Sequence, residues 1–177
     1  MRSACDWRTA RRMVLVVSLA WATLIIGPGV TRAAAQEIVF LVRHAERLDS
    51  STDSPLSAEG CARAARLAQM LRDARITAIY VTEFQRTAET AKPLADLLKL
   101  PLIKTPAADP GALISKLRSS DPHARILVVS HSDRLPILLQ DLGYPQEVTI
   151  PPSEYDDLFV VVPGDRPSTS VVARLRY

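Results

Sequence analysis

The sequence predicts a three-layer α/β/α fold with a mainly parallel central sheet over residues 36–177. Short apolar runs rich in β-branched residues, suited to strands buried on both faces, alternate with segments whose apolar residues recur about every 3.6 positions. Strands that alternate with helices favour a parallel sheet covered on both faces. With 47% apolar and 23% charged residues, the 177-residue chain is not disordered, coiled-coil or collagen-like, and it is long enough for one domain.

The first half of this region contains two strands and two helices by these criteria. We predict a strand over residues 37–42, a helix over 57–74 with Ser57 as N-cap, a strand over 76–81 and a helix over 85–100. Pro93 must lie near an end of the second helix or produce a kink, because it lacks an N–H and clashes with the preceding turn.

The second half continues the alternation. A short strand is expected around residues 102–103, followed by a helix to about residue 119 with Asp109 as N-cap and Pro110 at the first helical position. We then predict a strand over 125–130, a short helix over 135–142 closed by Gly143, and strands over 158–162 and 171–176.

Residues 1–35 have the features of a signal peptide. Four arginines precede a fourteen-residue apolar run over residues 13–26, and Ala33-Ala34-Ala35 follows. The run is short for a transmembrane helix, which needs about 20 apolar residues, although a retained anchor is the alternative. We expect cleavage after Ala35, a mature domain over 36–177 in the periplasm or outside the cell, and no stable membrane association after cleavage.

Charge and cysteine content exclude several kinds of partner and site. Residues 36–177 hold 17 cations and 18 anions, so no nucleic-acid partner is expected. Cys5 and Cys61 are the only cysteines, too few for a zinc ribbon or an iron–sulfur cluster. After removal of Cys5, Cys61 is expected to pack as a small apolar residue on its helix. The nearby Arg63, Arg66 and Arg72 are expected to form a solvated helix face.

The candidate catalytic residues follow the predicted strands directly. Arg43 and His44 come at the end of the first strand, Arg86 follows the second at the start of a helix, and His131 follows the strand over 125–130. Ligands of open α/β sheets bind beyond the carboxyl ends of the strands. Guanidinium groups match phosphate oxygens and a neutral imidazole can attack phosphorus, so the set suggests phosphoryl transfer through a phosphohistidine.

Four segments in order resemble the histidine phosphatase superfamily, also called phosphoglycerate-mutase-like. They are Leu41-Val42-Arg43-His44-Ala45-Glu46, Pro55-Leu56-Ser57 with Gly60, Arg86-Thr87 with Thr90-Ala91, and Val128-Val129-Ser130-His131-Ser132. The resemblance covers nearly all of residues 37–143. It implies that His44 is the nucleophile, that Arg43 and Arg86 hold the phosphoryl oxygens, and that His131 hydrogen-bonds them.

The resemblance also implies that no metal and no cofactor take part. Glu46 is then expected to support the loop or the substrate. The alternative is a zinc or iron site built from His44, Glu46, His131 and Asp133, which are suitable ligand types. Two arginines in the same crevice would repel such a cation.

The sequence departs from the family pattern at the proton donor. One branch uses a glutamate beyond the second arginine, and another uses an aspartate directly after the second histidine, where this chain has Ser132. Asp109 is the first candidate for the acid, and its alternative role is a plain helix N-cap. Glu83 and Asp133 are the other candidates, and a substrate with a good leaving group needs no acid.

The expected function is metal-independent hydrolysis of a phosphomonoester, such as a phosphosugar or a phosphohistidine, through a phosphohistidine on His44. Short connections between the motifs leave no room for a lid domain, which predicts an open, shallow pocket for a small phosphorylated substrate. The alternative is a non-catalytic phosphate- or phospholigand-binding domain of the same fold that has lost turnover.

Overall fold

The computed structural model describes residues 37–164 and 169–177, which belong to one compact unit, Ala35–Tyr177. The strands are β1 (Ile38–Arg43), β2 (Ala78–Val81), β3 (Leu102–Lys104), β4 (Arg125–Ser130), β5 (Asp157–Val162) and β6 (Val171–Arg176). The helices are α1 (Ala58–Leu71), α2 (Gln85–Leu98), α3 (Pro110–Arg118) and α4 (Leu135–Asp141). Every predicted element is present. The predicted signal peptide lies outside the described residues.

The six strands form one mixed sheet in the order β3-β2-β4-β1-β5-β6. Strands β1 to β4 are mutually parallel, whereas β5 runs antiparallel to β1 and β6 antiparallel to β5. The predicted mainly parallel sheet is therefore confirmed. Because β5 runs the other way, it begins at the edge where the parallel strands end, with Leu158 paired to Val42.

Two hydrophobic cores lie on opposite faces of the sheet, as the period-2 alternation of strand side chains requires. Val39 and Leu41 of β1 join the core formed with α3 and α4, whereas Phe40 and Val42 join the core formed with α1 and α2. The same alternation holds in β4. Helices thus cover both faces, and the three-layer prediction is confirmed.

Three expectations about the helices need correction or refinement. Cys61 is exposed on α1, because Gly60, Ala64, Leu67 and Leu71 form the buried face instead. Pro93 lies inside α2, so a position near the helix end is excluded. Arg63 does not belong to a solvated face, since its side chain is 13% exposed and is paired with Glu46.

Within residues 37–164 and 169–177, the helices are too short and too polar for any of them to cross a bilayer.

Candidate active site

The parallel strands bring the predicted residues to one edge of the sheet. Arg43 pairs with Ser130 in the β1–β4 register, and the His44 backbone N–H donates to the Ser130 carbonyl at 2.9 Å. His44 and His131 therefore follow adjacent strands at the same level, and their ring centroids are 5.3 Å apart. The strand-end prediction places both histidines correctly beside each other.

His44 is held in one tautomer by the backbone. Its Nδ1 lies 2.8 Å from the Ala45 carbonyl oxygen, which can only accept, so Nδ1 carries the proton. Nε2 then keeps its lone pair. Burial, partly opposed by the Ala45 hydrogen bond and reinforced by the nearby His131 and arginines, lowers the pKa of His44 to about 3. The imidazole is consequently neutral at physiological pH, which is the form that attacks phosphorus.

His131 is buried against the β2–α2 loop. Its Nε2 lies 3.1 Å from the Thr82 hydroxyl, and its ring packs edge-on against Phe84 with centroids 5.4 Å apart. Burial, together with the Arg86 charge, lowers the pKa of His131 to about 4. His131 is therefore a second neutral imidazole at the sheet edge.

Arg43 is fixed by the segment that precedes β5. Its Nη1 donates to the carbonyl oxygens of Pro151, Pro152 and Glu154 at 3.2, 2.9 and 2.7 Å. Its guanidinium carbon lies 3.9 Å from the centre of the Tyr155 ring. Because these partners are carbonyls and a ring, the positive charge of Arg43 is oriented without being neutralised by a carboxylate.

Arg86 lies in the first turn of α2. Its Nη1 donates to the Thr52 carbonyl at 2.9 Å, and its guanidinium carbon lies 4.2 Å from the centre of the Phe84 ring. Burial lowers the pKa of both Arg43 and Arg86. Each guanidinium is thus held by hydrogen bonds from its Nη1 and by contact with an aromatic ring, which leaves its other N–H groups available to an anion.

The loop after His44 is supported by α1 and α2. The Ala45 backbone N–H donates to the Thr90 hydroxyl at 2.9 Å, and Arg63 Nε donates to Glu46 at 2.8 Å. A side chain at position 60 would collide with the Glu46 carbonyl, so the glycine of the second motif permits this close approach. Glu46 supports the loop, and this engagement with Arg63 disfavours the alternative metal site that includes it.

These residues surround a shallow pocket of about 290 Å³. Its lining residues are Arg43, His44, Arg47, Phe84, Arg86, Ala107, His131, Ser132, Asp133 and Arg134. Four guanidinium groups and one carboxylate make the lining strongly cationic, which favours an anionic ligand. Within the described residues, no group of three or more His, Cys, Asp or Glu side chains is arranged to hold a metal ion.

The three candidate acids lie in different surroundings. Asp109 does not line the pocket, and its carboxylate accepts the Ala112 N–H at 2.9 Å as the N-cap of α3, the alternative role predicted for it. Glu83 accepts the Ala107 N–H at 2.8 Å. Asp133 is the carboxylate that lines the pocket, 3.5 Å from Arg134 Nε. Asp109, the first candidate, is therefore not among the residues that the structure brings together at the pocket.

Sequence reasoning missed several contributors to the site. Thr82 directly follows β2, the same signal that identified the histidines, so its position alone could have marked it. Tyr155 and the three carbonyls that hold Arg43 carried no such signal, because they act through tertiary contacts more than 100 positions away in sequence.

The first part of the described domain is similar in sequence to known proteins. Residues 39–109 match the sequence model of the histidine phosphatase superfamily (branch 1), a stretch that contains Arg43, His44 and Arg86 but ends before His131. A probable phosphoglycerate mutase GpmB of Yersinia enterocolitica is 39% identical over 75 residues, which cover 38% of this chain and 35% of the relative. The match thus spans about a third of the length of that curated relative.

Solved structures resemble most of the described domain. A protein histidine phosphatase SixA complexed with tungstate has a TM-score of 0.64 at 23% identity, covering 78% of this chain and 96% of its own. A putative alpha-ribazole-5'-P phosphatase from Escherichia coli has a TM-score of 0.66 at 15% identity, covering 80% and 97%. A mycobacterial glucosyl-3-phosphoglycerate phosphatase has a TM-score of 0.61 at 13% identity, covering 79% and 97%. At these identities the likeness concerns the fold.

Proposed function

We propose that this chain, which matches the histidine phosphatase superfamily over residues 39–109, hydrolyses phosphomonoesters through a phosphohistidine on His44. One observation carries this proposal. The Ala45 carbonyl accepts a hydrogen bond from Nδ1–H of His44, so the unprotonated Nε2 belongs to a residue that lines the cationic pocket. A neutral imidazole nitrogen beside guanidinium groups is suited to attack a phosphoryl group.

The other pocket residues have complementary roles in this proposal. Arg43 and Arg86 bind phosphoryl oxygens, and His131 hydrogen-bonds another of them. Because both guanidiniums are oriented before the ligand arrives, charge that spreads over the equatorial oxygens in the transition state meets preorganised donors. Water then hydrolyses the phosphohistidine, which releases inorganic phosphate and restores His44.

The acid that protonates the leaving oxygen is assigned to Asp133 in this proposal, since it is the candidate carboxylate on the pocket wall. Its side chain is 68% exposed and lies 3.5 Å from Arg134 Nε. Substrates with weakly basic leaving groups depend little on it.

The substrate class proposed is a small phosphorylated molecule or a phosphorylated side chain. A pocket of about 290 Å³ holds the phosphoryl group and a small part of what it is attached to. Solved structures of this fold include a protein histidine phosphatase and a glucosyl-3-phosphoglycerate phosphatase. These names support a phosphosugar or a phosphohistidine as substrate.

The full chain should hydrolyse 4-nitrophenyl phosphate in the presence of a chelator, and vanadate should inhibit it. Product analysis separates the possibilities, because a hydrolase releases inorganic phosphate, a mutase transfers the group to a second hydroxyl, and a binding domain does neither. Activity that requires a divalent ion would contradict the proposed mechanism.

We also propose that residues 1–35 direct export and that the domain acts in the periplasm or outside the cell. The support is the arginine-rich start, the apolar run and the alanines at 33–35. Cell fractionation should find the protein outside the cytoplasm with Gln36 as its first residue. Full-length protein in the membrane fraction would show that the segment is an anchor.

A further inference from the structure

We infer that Thr82 and Thr87 are positioning residues that hold His131 in the Nε2–H tautomer, opposite to that of His44, so that a bound phosphate must share a proton with His131 Nδ1. The tautomer follows from the contacts alone, whereas its consequence for phosphate rests on the proposed function.

The Thr87 hydroxyl donates its hydrogen to backbone carbonyls. Thr87 Oγ1 lies 2.8 Å from the Phe84 carbonyl oxygen and 3.2 Å from the Thr82 carbonyl oxygen. Both carbonyls can only accept, so the single Thr87 hydroxyl hydrogen points to them. Thr87 Oγ1 then accepts from its other neighbours, one of which is the Thr82 backbone N–H at 3.1 Å.

The Thr82 hydroxyl donates its hydrogen to Thr87 Oγ1. The two hydroxyl oxygens are 3.0 Å apart, and since Thr87 has already given its hydrogen to a carbonyl, Thr82 must donate to Thr87. The opposite assignment would leave two oxygen lone pairs facing each other in a buried site. Thr82 Oγ1 can therefore only accept from its remaining neighbours, the Phe84 N–H at 3.4 Å and His131 Nε2 at 3.1 Å.

His131 Nε2 must consequently carry a hydrogen. In the neutral imidazole this leaves Nδ1 as an acceptor. Among the described residues Nδ1 has no hydrogen-bond partner, and it is not one of the buried polar atoms, so a ligand can reach it. The pocket therefore presents two bare imidazole nitrogens, Nε2 of His44 and Nδ1 of His131.

The charges around His131 keep it neutral in the free protein. The His44 ring faces it from β1, Glu83 and Arg86 from the β2–α2 region, and Asp133 and Arg134 from the segment after β4. Burial is the largest effect and lowers the pKa of His131. The two arginines lower it further, and the two carboxylates only partly oppose them. A single neutral tautomer is thus expected near pH 7.

A fully ionised phosphate oxygen cannot donate to Nδ1, so one proton must enter the complex. Either the ligand arrives as its monoanion, whose P–O–H donates to Nδ1, or the dianion binds and Nδ1 takes a proton from solvent. Both routes give a complex with the same number of protons. Above the second pKa of phosphate, binding therefore takes up about one proton, and affinity falls about tenfold per pH unit.

The tautomer is measured directly by NMR of the ¹⁵N-histidine-labelled full chain near pH 7. The chain has three histidines, so His44→Asn and His123→Asn variants assign the signals of His131. We expect Nε2–H for His131 and Nδ1–H for His44 in the same spectrum. An Nδ1–H tautomer for His131 would overturn the inference, whether or not the protein binds phosphate.

The consequence is measured by calorimetric titration of inorganic phosphate at about pH 8.5 in two buffers of different ionisation enthalpy. Uptake of about one proton should occur in the wild type and persist in His44→Asn, which excludes His44 as the acceptor. Thr82→Val, which removes only the hydroxyl, should mix the tautomers and reduce the uptake, whereas Thr82→Ser should restore both. Unchanged uptake in Thr82→Val would overturn the role of Thr82.

The two proposals fail in distinguishable ways. Absence of phosphate binding with an Nε2–H signal for His131 would reject the proposed function and leave the tautomer established. Hydrolysis of a phosphomonoester together with an Nδ1–H signal for His131 would support the proposed function and reject the tautomer. If Thr82→Val does not fold, the wild-type and Thr82→Ser spectra still decide the tautomer.

Discussion

Asp109→Ala separates an acid catalyst from a helix cap at a single carboxylate. In the structure this side chain is exposed, accepts the Ala112 N–H at 2.9 Å and begins α3 with Pro110 at the first helical position. Removal of such a cap costs about 0.5–2 kcal/mol, with about 1 kcal/mol typical. Three residues of α3 (Leu113, Ile114 and Leu117) remain packed in the core, so the helix should persist.

The assay combines thermal unfolding with kinetics on two substrates. For a domain of this size we expect the melting temperature to fall by roughly 3–6 °C per kcal/mol. The kcat for an alkyl phosphate and for an aryl phosphate should both stay within about twofold of wild type, because Asp109 does not line the pocket. Asp109→Ser serves as the matched control, since a serine oxygen restores the cap without restoring an acid.

A different result would refute this reasoning. Loss of a general acid costs about 10²- to 10⁴-fold on a poor leaving group and little on a good one. If Asp109→Ala and Asp109→Ser both lost alkyl phosphatase activity by this factor while retaining aryl phosphatase activity, Asp109 would be the acid. Asp133→Asn is expected to show that selective loss instead.

The remaining predictions concern the histidines and the support of Arg43. His44→Asn should abolish both turnover and acid-labile phosphate labelling, whereas His123→Asn, at an exposed position, should change neither; labelling that survives in His44→Asn would identify another nucleophile. Tyr155→Leu should lower kcat/KM by roughly 2- to 30-fold, because the ring that orients the Arg43 guanidinium is worth about 0.5–2 kcal/mol, and Tyr155→Phe should restore it; equal effects of the two variants would argue against the ring contact. Since the pKa values of His44 and His131 are lowered to about 3 and about 4, the unfolded chain binds more protons below the unperturbed value of about 6.5. The free energy of unfolding should therefore fall as the pH drops from about 6.5 towards 4, and urea titrations should show a smaller fall in His44→Asn.

The sequence by itself determined the sheet, the helices and the sheet edge that holds the candidate site. Apolar runs and periodicity are local signals, and parallel strands end at a common edge whatever their partners, so Arg43, His44 and His131 could be placed together before any contact was known. Ser57 likewise acts as the N-cap that its position before the helix indicated.

Only the tertiary structure decided the hydrogen bonds, the burial and the tautomers of these groups. Thr82 contacts His131 across 49 positions, and the carbonyls that hold Arg43 lie 108 or more positions away. Asp109 has the right residue type for an acid and for a cap, and only the structure shows that it caps α3 and does not line the pocket. Hydrogen-bond direction, burial and tautomer depend on which atoms meet in space, and residue type and spacing do not specify that.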